Sequence, residues 1–96
     1  MSIQFTLVLP EGFVPYEVEA KGYLGGIRIL VADSAIEFAA YDTFRLAQDI
    51  AYEIRERGFF PHSNLLVVET VTRENIEAAV ERLAISGFTD FSKLHS

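Results

Sequence analysis

A chain of 96 residues, half of them hydrophobic and 12% aromatic, is rich enough in apolar side chains to offset its own chain entropy and too short for two ordinary cores, so one domain over residues 1–96 is expected. Eight basic against fourteen acidic residues give a net charge of -6, which argues against a nucleic-acid backbone binder and favours a basic partner. The lack of cysteine excludes disulfides, thiolate nucleophiles and Cys-based metal sites and fits a reducing cytoplasm, while the start "MSIQFTLVLPEGF" has no basic leader region and no apolar run nears the roughly 18 residues of a membrane span.

Ile3, Phe5, Leu7 and Leu9 alternate with Gln4 and Thr6, the period of a half-buried strand, and Pro10 ends it. "PEGFVP" reads as a turn, and "YEVEAK" alternates again, with Tyr16, Val18 and Ala20 on one face and Glu17, Glu19 and Lys21 on the other. The glycines of "GYLGG" have neither dinucleotide-fingerprint nor P-loop spacing and read as a flexible loop. "IRILVA" and "AIEFAAY" then form a hairpin, with Asp33 and Ser34 supplying the turn chemistry.

At Phe44 the period changes to 3.6. Phe44, Leu46, Ala47, Ile50, Ala51 and Ile54 line one flank, which predicts an amphipathic helix over about 43–57. Asp42 or Thr43 is its cap, Arg55 and Arg57 suit its C-terminal end, and Gly58 stops it. "NLLVVE" is apolar on both parities and predicts a strand near 64–69 buried on both faces, central or nearly so, and parallel to "AIEFAAY". In the connection "GFFPHS", Phe59 and Phe60 are expected to plug the end of the core. The last helix, near 73–86, has Thr72 as its cap, Val71 and Ile76 at staple positions and Gly87 as its stop, with Phe88 placed to touch Leu83. "FTDFSKL" is expected to pack back onto the body.

These elements, in the order ββββαβα, predict an α+β fold. It is a two-layer sandwich of a mostly antiparallel four- to five-stranded sheet with both helices on one face.

Candidate chemistry is sparse. His62 invites a catalytic role because histidine is the side chain suited to proton transfer near neutral pH, yet no carboxylate, nucleophile or oxyanion donor is indicated around it, so no catalytic residue is assigned and the reading leans away from an enzyme without excluding one. His62 and His95 give no metal-ligand spacing, and neither a metal nor a cofactor is expected. The carboxylates are more informative: Glu74, Glu77 and Glu81 form an acidic stripe on the last helix, and Asp49, Glu53 and Glu56 repeat its spacing on the first. With both helices on one face, Glu17, Glu19 and Glu37 would make the other an acidic platform with Tyr23 or Tyr41 at its margin. The favoured reading is therefore a small acidic protein-binding domain whose basic partner meets Glu17, Glu19, Glu37, Tyr41, Glu74, Glu77 and Glu81. A ligand-binding or enzymatic domain with a pocket near Phe59, Phe60 and His62 is the alternative, and a module that self-associates through the edge strand "IQFTLVLP" is the third.

The order of "IEFAAYD", "TFRLAQDIAYEI", "HSNLLVVETV" and "RENIEAAVERL" resembles that of small immunity proteins from bacterial polymorphic-toxin systems, over about Ile36 to Leu83. The resemblance implies a non-enzymatic inhibitor that binds a toxin domain through complementary charge. The long tryptophan-containing extension of those proteins has no counterpart in this chain, which has no Trp.

Overall fold

The computed structural model describes residues 3–62 and 64–89. Its elements are β1 (Thr6–Val8), α1 (Pro15–Lys21), β2 (Tyr23–Val31), β3 (Ser34–Tyr41), α2 (Thr43–Arg57), β4 (Leu65–Val67) and α3 (Arg73–Ile85). The class is α+β, as expected, with one four-stranded sheet in the order β1-β2-β3-β4. The β1–β2 and β2–β3 pairs are antiparallel and β3–β4 is parallel.

The segment expected as a second strand, "YEVEAK", is helix α1. Pro15 stands at its first position, where a missing N–H costs nothing, and Gly22 closes it in the left-handed region at φ 70°. Only Val18 is buried, so the alternation of Tyr16, Val18 and Ala20 marks no buried strand face; Tyr16 is fully in solvent at 82% exposure.

"GYLGG" is not a loop but the first half of β2. Leu24 pairs with Ala40 and Ile27 with Phe38, so Gly25 and Gly26 together stand opposite Ala39 in a bulge, Gly26 at φ 70°. The extra residue shifts the parity of the strand and lets Leu24 and Ile27, one even and one odd, face the same core. That shift hides the strand from a period-two search. At the other end Val31 pairs with Ser34, so the hairpin turn consists of Ala32, at φ 54°, and Asp33, one residue earlier than expected.

The core lies between one face of the sheet and α3. Ile27, Ile29, Ile36, Phe38 and Ala40 cluster with Ile76, Val80 and Ala84, and with Val71 and Phe88 at the ends of α3. Thr72 Oγ1 accepts from Asn75 N at 3.1 Å. Val71 and Ile76 are fully buried at the staple positions. The helix ends in a Schellman closure: Phe88 N donates to Leu83 O at 3.0 Å and Gly87 N to Ala84 O at 3.1 Å. Phe88 has a positive φ of 62°, a strained conformation for a side chain of its size, offset by complete burial and an edge-on contact with Phe5 at 5.5 Å. Residues Asp90 to Ser96, including His95 and most of "FTDFSKL", lie outside the described residues.

Three further expectations are corrected. The strand near 64–69 is three residues long and lies at the sheet edge, with Val67 44% exposed. Its run is apolar on both parities because Leu66 packs against the core while Leu65 lines the opposite face. The two long helices do not share a face either. Arg45 of α2 lies over Tyr23, whose partner across the strands is Tyr41, and both alternate with the core residues Leu24 and Ala40. Finally, Phe59 is 57% exposed and Phe60 half-buried, and neither belongs to the core cluster.

Candidate functional site

The open face of the sheet and the inner side of α2 enclose a cleft of about 430 Å³. Tyr23, Glu37, Ala39, Tyr41 and Leu65 form its floor, Arg45 and Asp49 its helical wall, and Gly25, Gly26 and His62 lie along it. A side chain on Gly25 would collide with the Tyr23 hydroxyl, so this glycine lets the tyrosine lie against the strand.

The wall is anchored at the start of α2. Asp42 caps it, its carboxylate accepting from Arg45 N at 2.7 Å, while Asp42 N donates to Gly22 O at 2.9 Å. The end of α1 and the beginning of α2 are thereby tied together. Arg45 Nε donates to Asp49 Oδ1 at 3.0 Å, and Arg45 Nη1 to Lys21 O at 3.3 Å. The guanidinium also sits 5.5 Å from the centre of the Tyr23 ring, within cation–π range. Tyr23 and Tyr41 meet edge-on at 5.0 Å. Tyr41 is 4% exposed; burial, with the Asp49 charge behind it, pushes its phenol up to about 12. It stays protonated at any ordinary pH.

Further along the inner side, Glu53 is largely covered. Its Oε2 is buried without a hydrogen bond, 3.4 Å from Arg57 Nε and 4.0 Å from His62 Nε2. The His62 ring stands edge-on to Phe60 at 5.0 Å, and its side chain is half exposed. Of the proposed pocket residues, His62 alone reaches the cleft, with Phe60 behind it and Phe59 out in solvent. Ser63 lies outside the described residues.

The acidic residues are dispersed. Glu37 and Tyr41 share the open face of the sheet, and Glu37 is paired with Arg28 at 3.2 Å. Glu17 and Glu19 sit exposed on α1, so the acidic platform expected on the sheet is reduced to Glu37. Glu74, Glu77 and Glu81 are exposed on α3, with Glu77 bonded to Arg73 at 3.2 Å. Arg45 is a site residue the sequence did not single out, and Asp49 and Glu53 stood out there only as an acidic stripe with Glu56. The signal that links the three is their i, i+4 spacing along one flank of α2.

That flank faces inward. Arg45, Leu46, Asp49, Ile50 and Glu53 are half-buried, whereas Phe44, Ala47, Ala51 and Ile54 are exposed. No residue of α2 is buried. Phe44 is 73%, Tyr52 53% and Ile54 52% exposed, so α2 turns a mixed flank of Arg45, Leu46, Asp49, Ile50 and Glu53 to the sheet and leaves large apolar side chains in solvent beside Gln48, Arg55 and Glu56.

Chemically the cleft offers aromatic walls and a neutral phenol. Its charged groups, Arg45 with Asp49 and Glu37 with Arg28, are already engaged with each other. No described helix is long and apolar enough to cross a membrane. In comparisons with known proteins, no family model, no curated protein and no solved structure matches this chain.

Proposed function

We propose that this chain is a small acidic protein-binding domain without catalytic activity, and that α2 is its docking element. The observation that carries the reading is the uncovered apolar side of α2. A domain of this size gains its stability by burying apolar side chains. Phe44, Tyr52, Ile54 and Phe59 stand instead in solvent, the arrangement of an interaction surface whose partner has not yet covered it. The cleft beneath supports the reading, because its charges neutralise one another.

The partner class follows from charge. Among the described residues, Glu17, Glu19, Glu74 and Glu81 are exposed and join no ion pair. They leave the surplus of a chain of net charge -6 open to a basic protein. This is the chemistry of an immunity-type inhibitor of a basic toxin domain, to which the segment order of Ile36 to Leu83 is similar. The test is affinity capture from the native cell with the wild-type chain and with Phe44→Asp. A stoichiometric protein, a second copy of this chain included, held by the first and lost by the second is expected; equal recovery by both of everything captured would remove α2 from the account.

A small-ligand site is the second reading, favoured by the cleft itself, whose volume of about 430 Å³ falls within the usual range for ligand pockets. A compound that raises the melting temperature of the wild type and not of Tyr41→Phe would support it.

A further inference from the structure

We infer that the outward stripe of α2 is the interface with a second copy of this chain, which leaves the acidic surfaces of α1 and α3 to the basic partner. The inference rests on the reading of α2 as a docking element and names what covers it.

Two observations select the occupant. The first is charge. α2 carries three bases, Arg45, Arg55 and Arg57, and three acids, Asp49, Glu53 and Glu56, in a chain of net charge -6. The whole acidic surplus therefore lies elsewhere. Two acidic molecules repel in general, but a contact through α2 keeps the acidic surplus apart: Arg45, Asp49 and Glu53 face the sheet and the charges α2 exposes are Arg55, Glu56 and Arg57, which offer a basic partner no attraction.

The second is area. Phe44, Tyr52 and Phe59 are 73%, 53% and 57% exposed, which at roughly 200 Å² per aromatic side chain leaves about 370 Å² of aromatic surface in water. Ile54, Ala47 and Ala51 add to it. A standard interface covers about 800 Å² on each partner, a little over half of it nonpolar. The helix and the turn that ends it thus supply most of the apolar surface that one half of a stable dimer needs.

The stripe is also self-complementary. At about 100° per residue, Phe44, Ala47 and Ala51 fall within one narrow sector, with Ile54 on one flank and, on the other, Tyr52 beyond Gln48 and Arg55, whose guanidinium lies 5.7 Å from the Tyr52 ring. In a twofold dimer with antiparallel helices crossing at the level of Asp49, Ala47 of each copy meets Ala51 of the other and Phe44 meets Ile54. The two alanines let the backbones approach closely, and the opposed helix dipoles attract.

The test is sedimentation of the full chain between about 1 and 100 μM, a range that brackets micromolar association, for the wild type, Ala51→Glu and Phe44→Asp. Both positions are exposed, glutamate is a good helix former, and aspartate is favourable in a first turn, so both variants should keep the fold. The wild type should dimerise, and each variant should weaken self-association by at least about tenfold, the loss expected at the centre of an interface. A wild type monomeric throughout, or a dimer that both variants leave intact, overturns the inference. Hydrogen exchange on the wild type alone gives a reading independent of variants. Protection at residues 44–55 that rises with concentration is expected; protection rising at β1 instead would point to edge-strand pairing and overturn it. If the chain is monomeric and Phe44→Asp still abolishes capture of another protein, the docking role of α2 survives and only its assignment to a second copy fails.

Discussion

Gly22 and Asp42 are joined by one hydrogen bond and one close approach. The glycine carbonyl accepts the Asp42 N–H at 2.9 Å, and the Asp42 carboxylate occupies the space that a side chain on Gly22 would enter. The same carboxylate caps α2 through Arg45 N, so the junction between the two helices sets the direction in which α2 leaves the sheet.

Replacing Gly22 by alanine should therefore be costly. The backbone is left-handed there at φ 70°, and the new methyl would displace the cap. A loss of about 1–3 kcal/mol is expected in urea melts, combining backbone strain with a weakened cap.

The phenylalanines should divide by burial. Phe88→Ala removes a ring that is 1% exposed and should cost about 3–5 kcal/mol. Phe59→Ala changes a side chain 57% exposed and should stay within about 0.5 kcal/mol of the wild type. Paired urea melts on the two variants check the division, and a large loss at Phe59 would mean that it is covered in solution.

Tyr41 predicts an alkaline limit. Its phenol is pushed up to about 12 in the folded chain, against about 10 when unfolded. The unfolded chain thus releases this proton first as pH rises. The contribution is fully present below about pH 10 and is lost as pH rises through 12. Stability measured across that window should fall less steeply in Tyr41→Phe, and the tyrosinate absorbance of the wild type should show one late-titrating group.

Two ion pairs of similar spacing should differ in worth. Arg45 bonds Asp49 and Lys21 O and lies over Tyr23, so Arg45→Ala should cost about 1–2 kcal/mol and loosen the inner side of α2. Among the described residues Arg73 bonds Glu77 alone, at an exposed site, and Arg73→Ala should cost less than about 0.5 kcal/mol. Thermal or urea melts of the two variants make the comparison.

Charge reversal addresses the basic partner. Glu74→Lys with Glu81→Lys should slow association at low salt and leave folding nearly unchanged, since both groups are exposed and act over a screening length of roughly 8–10 Å. An association rate indifferent to both the reversal and the salt would reduce the acidity to a solubilising role.

What the sequence determined by itself was local. The ends of α2 and α3 were legible because caps and stops are made by neighbours: Asp42 and Gly58 for one, Thr72 and the Gly87–Phe88 closure for the other. The parallel pairing of β3 with β4 was legible too, since a strand, a helix and a strand leave few topologies. The tertiary structure decided what depends on distant contacts. Alternation over Tyr16, Val18 and Ala20 cannot reveal that only Val18 finds a core, and the bulge at Gly25 and Gly26 disguises β2 by moving its parity. Above all, periodicity says that α2 has two sides but not which one meets the sheet. The Gly22–Asp42 junction and the Arg45 contact with Tyr23 hold the flank of Arg45, Leu46, Asp49, Ile50 and Glu53 inward, and that orientation leaves Phe44, Ala47, Ala51 and Ile54 facing solvent.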